Sequence, residues 1–327
     1  MKTFKISNIE IANRFVLAPL AGFSDFAMRK LSYDKGARLL YTEMESCEAL
    51  YYGSKATIKD LQDTNLDKQY CPDGKVALQI FGGKQDIILK SIPIIEKNAS
   101  YDFLDFNCGC PVPKVIKQHS GSFWLNRQDE LVELMKDLVS ISSKPVIVKI
   151  RIGFNEVTNI IELCQRLENV GVQAIAVHGR TRKEMFNSIV HYDVIKDIKE
   201  HLSIPVIANG EISEKNFKEV EEATKADGFM IGQNAIGNPS IFSQLIEVEE
   251  NKPVVYPTLE DQIRDLKEHL DIIFSIKEEH TAASIMRAIS VRYLKGFTDI
   301  KKYRNLIVKS TNKQEYLDIL SQIQNNA

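Results

Sequence analysis

Eight short apolar runs, at residues 15–20, 39–44, 76–81, 103–107, 146–151, 174–178, 206–209 and 229–232, recur along the chain. Rich in branched and aromatic side chains and bounded by Gly, Pro or polar residues, they predict β-strands. Stretches such as 87–95, 131–139, 160–170, 194–202 and 217–223 lie between them and repeat apolar residues at the three-to-four spacing of one helix face. Strands that alternate with helices run parallel and are joined by right-handed crossovers. The runs are nearly continuous in apolar residues, as strands buried on both faces are. Eight such units in roughly 250 residues predict a closed (β/α)8 barrel.

After about Pro253 the rhythm stops, and residues 259–316 read as helix alone, with Ile263, Leu266, Leu270 and Ile273 at helical spacing. The expected architecture is therefore α/β: a (β/α)8 TIM barrel over 1–250, a linker at 251–257, and a smaller C-terminal all-helical domain over 258–327. The stretch 249–257 (EENKPVVYP) supports the linker, with a polar start and two prolines.

Composition narrows the class. With 44% hydrophobic and 26% charged residues in 327, the chain has the balance of a folded globular protein, which excludes disordered and coiled-coil readings. No apolar run approaches the roughly 18–20 residues of a membrane span, and the N-terminus lacks a signal peptide's apolar core, so a cytoplasmic location is expected. Five cysteines, at 47, 71, 108, 110 and 164, show no framework spacing and are expected to be reduced. A net charge of −2 argues against indiscriminate coating of polyanions. Residues 281–327, however, carry eight Lys or Arg against three acids, a local +5 that marks a candidate polyanion footprint.

Polar residues interrupt the apolar strands at one end. Gln79, Asn107, Lys149 with Arg151, His178 and Asn209 stand at or near the carboxyl ends of five strands, which converge on the substrate-binding face of a barrel. The stretch DFNCGCPVPKV (105–115) opens a connection of about twenty residues before the next clear helix, and long connections on that face are usually functional. Its C-x-C lacks the second pair that a zinc site needs. A thiol of ordinary pKa, ~8.5, is mostly protonated at pH 7 and serves as a proton donor as readily as a nucleophile. ANGE (208–211) and IGQNAIGNP (231–239) put glycines after the seventh and eighth strands, where barrels commonly cradle phosphate. Lys149, within an apolar strand, calls for an anionic ligand or a carboxylate, for which Glu43 and Asp105 are available. His178, Arg180 and Arg182 in VHGRTR suit anions or nucleic acid, or a solvated loop.

Over nearly its whole length the chain resembles the tRNA-dihydrouridine synthases, most closely their bacterial type-B branch. The resemblance rests on VLAPLAGFSD (16–25), ALQIFGG (77–83), the NCGCP-x-x-KV stretch (107–115), VKIRIG, VHGRTR, PVIANGEI (205–212) and IGQNAIGNP, with Ile285-Met286-Arg287 and Tyr293-Leu294-Lys295-Gly296 in the helical region. It implies FMN on the catalytic face, its ring against Pro19, Leu20, Ala21, Gln79, Lys149 and His178, and its phosphate against Asn209, Gly210, Glu211, Gly232 and Gln233. Cys110 falls at the proton-donor position and Cys108 does not. The implied reaction reduces uridine to 5,6-dihydrouridine in tRNA, with NADPH or NADH reducing the flavin, hydride passing from flavin N5 to uracil C6, and a proton from Cys110 to C5. Asn107, Lys114, Arg180 and Arg182 are implied at the base and its phosphates, and the helical domain, with Arg287, Arg292 and Lys295, at the RNA body.

Departures from the family pattern bear on this. Gln233 stands where the family has Arg, which removes a bidentate cation from the phosphate. Phe123 and Trp124 replace smaller residues in the loop after Cys110 and imply an altered lid. Three alternatives keep part of the picture: the same chemistry on ribosomal RNA, a dihydroorotate-dehydrogenase-like flavoenzyme acting on a free pyrimidine, and an RNA-binding protein whose barrel has lost its redox role. A monomer with no membrane association and no stable protein partner is expected.

Overall fold

In the computed structural model, which describes residues 1–295 and 300–326, the chain opens with a hairpin that no periodicity announces. Phe4–Ile6 (β1) pairs antiparallel with Ile9–Ile11 (β2). Phe4, Ile6 and Ile11 join the cluster inside the barrel, and the Phe4 ring lies against Gly228 at the start of the last strand, so the hairpin plugs the amino-terminal end.

Eight parallel strands follow: Phe15–Leu17 (β3), Leu39–Ser46 (β4), Lys75–Phe81 (β5), Phe103–Cys108 (β6), Val146–Arg151 (β7), Ile175–His178 (β8), Val206–Asn209 (β9) and Gly228–Ile231 (β10). They close into a barrel in sequence order, β10 pairing with β3. The eight expected runs are these eight strands. The first ends at Leu17 rather than at residue 20: the Ala18 N–H still reaches the Ile231 carbonyl at 2.9 Å, but Pro19 has no N–H to continue the ladder. Side chains alternate between two cores, Val16, Tyr41, Ala77, Phe103 and Ile147 inside the barrel and Phe15, Leu40, Leu78, Leu104 and Val148 beneath the helices. Burial on both faces explains the unbroken apolar runs.

The connections are less regular than the strands. Three short helices, Cys47–Tyr51, Lys55–Gln62 and Thr64–Tyr70, join β4 to β5. The connection after β6, expected to run about twenty residues without a helix, holds a short one at Pro113–Lys117 and a 3-10 turn at Gly121–Asn126 before the long helix Gln128–Ile141. Pro113 sits in a first turn, where its missing N–H costs no helical bond.

Beyond the last barrel helix, Ile241–Glu249, come Leu259–Ile276, Glu279–Tyr293, Ile300–Ile307 and Lys313–Asn325. A capping box between Thr258 and Asp261 starts the first of them. These helices share a core of their own, including Leu266, Leu270, Ile273, Met286, Ile289 and Leu320, which Ala27 and Leu31 join from the helix Phe26–Asp34 that follows β3. Across the same junction His269 lies 3.4 Å from the Asp25 carboxylate and 3.0 Å from the Tyr293 hydroxyl. Gly296, the last residue of the YLKG stretch, lies outside the described residues. No helix among the described residues is long and apolar enough to cross a membrane.

Candidate active site

The carboxyl ends of the barrel strands surround a cleft of about 470 Å³. Register decides which side chains share it: Gln79 on β5 stands beside Asp105 on β6, Asn107 beside Lys149 on β7, Arg151 beside His178 on β8, and His178 beside Asn209 on β9. Lys149 and Arg151 are two residues apart on one strand and therefore face the same way. Pro19, Leu20 and Ala21, in the turn after β3, supply an apolar wall, and Gly210, Glu211, Gly232 and Gln233 line the side beneath the last two strands.

A chain of hydrogen bonds crosses the cleft floor. The Gln79 amide donates to Asp105 at 2.6 Å and accepts from the Asn107 amide at 2.7 Å. The Asn107 carbonyl oxygen accepts the backbone N–H groups of Gly109 (3.1 Å) and Cys110 (2.9 Å). Arg151 ties the same loop from the other side, donating to the Gly109 carbonyl at 2.9 Å and to the carbonyls of Thr181 and Met185 at 3.0 and 3.1 Å. Ser122 closes it from above, its N–H and hydroxyl both donating to the Cys110 carbonyl.

The electrostatics follow from this largely buried, cationic setting. Burial, with Arg151 alongside, lowers the Lys149 ammonium to about 8, and its Nζ donates to Asn209 at 3.1 Å. Burial likewise lowers Arg151 to about 10. Neither expected carboxylate forms an ion pair with Lys149: Glu43 accepts the Gly22 N–H at 2.5 Å, and Asp105 is engaged by Gln79. The cleft thus carries two cations, Arg151 buried and Lys149 half-buried, with no carboxylate in contact with either among the described residues. Burial and the cations Arg151, Lys149 and Arg180 push His178 down to about 2, leaving a neutral ring whose Nδ1 has no partner. The Cys110 thiol, half-buried at the cleft, is pushed up by burial. Cys108 is fully buried, its thiol raised well above the ordinary value. No cluster of metal-binding side chains occurs among the described residues.

The family model of the dihydrouridine synthases matches residues 16–327. The chain belongs to the dihydrouridine synthase family. It is 32% identical over 321 residues to tRNA-dihydrouridine synthase B of Pasteurella multocida, covering 96% of this chain and 93% of that one. A probable tRNA-dihydrouridine synthase of Rickettsia bellii is 31% identical over 310 residues, covering 93% and 92%. Among solved structures, the old yellow enzyme from Trypanosoma cruzi superposes with a TM-score of 0.57 at 14% identity, over 80% of this chain and 94% of that one. Morphinone reductase in complex with tetrahydroNAD gives 0.55 at 12%, over 80% and 93%. These two likenesses are likenesses of fold.

In this dihydrouridine synthase the residues singled out from sequence divide into two groups. Pro19, Leu20, Ala21, Gln79, Asn107, Cys110, Lys149, His178, Arg180, Asn209, Gly210, Glu211, Gly232 and Gln233 all line the cleft. Arg180, however, is buried and tied within the protein, to Glu211 at 2.5 Å and to the Ser188 carbonyl. Lys114 is exposed on its short helix, and Arg182 stacks on Phe154, 5.1 Å from the ring centre; neither lines the cleft. Arg287 donates to the Ser310 carbonyl at 3.2 Å, whereas Arg292 and Lys295 are exposed at the end of the helix Glu279–Tyr293. Trp124 is no part of a lid: it is buried edge-on to Phe106, and its indole N–H donates to the Gly82 carbonyl at 2.9 Å. Sequence reasoning left Met44 and Phe186 unassigned; both line the cleft, Phe186 half-exposed and edge-on to His178 at 6.0 Å.

Proposed function

We propose that this dihydrouridine synthase reduces uridine to 5,6-dihydrouridine in tRNA, with FMN held in the cleft, NADPH or NADH as reductant, and Cys110 as the proton donor. The observation that carries this reading is a thiol at the cleft, its pKa raised by burial, beside two cations, Arg151 buried and Lys149 half-buried, that lack carboxylate partners.

The residues fit FMN on physical grounds. The cleft volume falls within the roughly 300–1,000 Å³ of cofactor sites. Lys149 and Arg151 favour an anionic ligand, because an anion offsets charge that is withdrawn from solvent and faces no carboxylate. The orphan Nδ1 of His178 offers a further polar contact. Pro19, Leu20, Ala21 and Gln79 would hold the ring, and Asn209, Gly210, Glu211, Gly232 and Gln233 the phosphate end. When bound there, FMN supplies the hydride that reduces the uracil C5=C6 bond.

The protein's own part is the proton. Reduction at C6 needs protonation at C5, and a thiol above its ordinary pKa begins the step in the donor form. Arg151 and Lys149, which act on Cys110 electrostatically, stabilise the thiolate it leaves behind. The second N–H of Asn107 donates to the Met44 sulfur at 3.7 Å, a weak acceptor that a carbonyl of the base would replace. A base in folded RNA must be extruded to reach the cleft, so residues 258–327 act as the RNA-binding part, joined by the linker at 251–257 to the catalytic barrel, with exposed Lys114, Arg292 and Lys295 on the phosphates. The enzyme acts as a cytoplasmic monomer.

The test is base-resolved mapping of dihydrouridine in tRNA and ribosomal RNA from cells lacking the gene, before and after addition of the protein, FMN and NADPH. Restoration at defined tRNA positions is expected, with Cys110→Ala slower by about 100-fold or more. Restoration in ribosomal RNA alone would reassign the substrate, and full activity of Cys110→Ala would remove the thiol from the mechanism.

A further inference from the structure

Asp105, on a barrel strand, is wholly inaccessible, and it does not line the cleft. One of its oxygens accepts from Gln79 and the other has no partner, as is true of the Tyr41 hydroxyl in the barrel interior. An acid in that position needs a reason, because burying it is costly. The reason lies in the polarity of the chain it terminates. At the far end stand the backbone N–H groups of Gly109 and Cys110, which only donate. The Asn107 carbonyl oxygen must therefore face them, its amide nitrogen must donate to the Gln79 oxygen, and the Gln79 nitrogen must in turn find an acceptor. Gln79 and Asn107 are both buried, so water does not supply that acceptor, and Asp105 does at 2.6 Å. Either amide, flipped, sets donor against donor or acceptor against acceptor at both of its contacts.

We propose that Asp105 is a positioning residue that, through Gln79 and Asn107, fixes the loop bearing the Cys110 thiol. The inference rests on the reading of Cys110 as the proton donor. Asp105 performs this role in either charge state, since a neutral carboxyl keeps one carbonyl oxygen as acceptor; burial raises its pKa to about 8. An asparagine at 105 preserves the acceptor and the shape, whereas an apolar residue leaves the Gln79 nitrogen unsatisfied and removes one of the two contacts that hold the Gln79 amide in place.

The experiment compares Asp105→Asn with Asp105→Val in the full-length flavin-loaded protein, with Asp105→Ala as a second apolar variant should valine prevent folding. Two quantities are read: the rate of Cys110 alkylation by iodoacetamide, resolved from the other cysteines by peptide mass spectrometry, and kcat and KM on tRNA. Asp105→Asn is expected within about threefold of wild type in both. A folded apolar variant is expected to change the alkylation rate at least fivefold and to lower kcat at least tenfold with KM for tRNA unchanged. An apolar variant that keeps wild-type alkylation and kcat overturns the proposal, as does an asparagine variant as impaired as the valine one. Full activity of Cys110→Ala would instead remove the proton-donor reading, while the alkylation comparison still reports whether Asp105 holds the loop.

Discussion

At the scale of single residues, burial sets the protonation states that the chemistry needs. A proton donor works below its pKa and is lost as pH rises through it; burial moves that point for Cys110 above the ordinary thiol value of ~8.5. Lys149, lowered to about 8, loses its charge in the same alkaline region. His178, near 2, is neutral at every working pH and adds no inflection near the ordinary imidazole value of ~6.5. The rate of uridine reduction by pre-reduced enzyme, measured in single turnover, is therefore expected to be flat across roughly pH 6 to 7 and to fall only on the alkaline side. A rate that climbs with pH would mean that a thiolate, not a thiol, is the active form. The same residues show what a sequence discloses about a site. Gln79, Asn107, Lys149, His178 and Asn209 were legible because each breaks an apolar strand at its carboxyl end. Asp105 breaks one too, yet its partner was not legible: register, which places it beside Gln79, is a property of paired strands and not of either alone.

At the scale of elements, legibility followed length and burial. Each barrel strand announced itself because both its faces are covered, whereas β1 and β2, three residues each, are too short for any period to show. The helices Cys47–Tyr51 and Pro113–Lys117, about one turn each, escape for the same reason. Helix 279–293 was legible as helix, but its docking was not, because that depends on a residue without a side chain. Gly237, six residues beyond β10, has φ +70°, and a Cβ there would stand 2.4 Å from the Tyr293 nitrogen and 2.5 Å from the Arg292 carbonyl carbon. Both are backbone atoms, which cannot swing away. Gly237→Ala is expected to destabilise the protein by roughly 2 kcal/mol or more, lowering Tm by ~4 °C, from left-handed strain and the clash together. Gly22 supplies the control, with φ +78° and nothing within 4 Å of its Cβ position, so Gly22→Ala carries the backbone strain alone. Equal Tm losses in calorimetry would mean that the close approach at Gly237 contributes nothing.

At the scale of the whole molecule, the contact at Gly237 links the helical region to the chemistry. Gly232 and Gln233 line the cleft, and the same loop then runs to Gly237 under the end of the helix Glu279–Tyr293. The backbone that carries the exposed cations Arg292 and Lys295 thus packs on the loop that leaves the cleft. Deleting the helices would be a poor test of their role, since it would bare Ala27 and Leu31 and strand Asp25 without His269. Charge substitution leaves the fold intact. An RNA held through phosphates releases counterions on binding, so its affinity falls with salt in proportion to the phosphates neutralised. Arg292→Gln with Lys295→Gln is expected to weaken tRNA binding about tenfold at low salt and to reduce the slope of log affinity against log salt by about 1.5 to 2. Flavin content and the reduction of flavin by NADPH are expected to stay at wild-type values, because neither side chain lines the cleft. An unchanged salt slope would place the RNA elsewhere on the catalytic face, whereas weakened binding with an intact cofactor would mean that one loop joins base reduction to RNA grip.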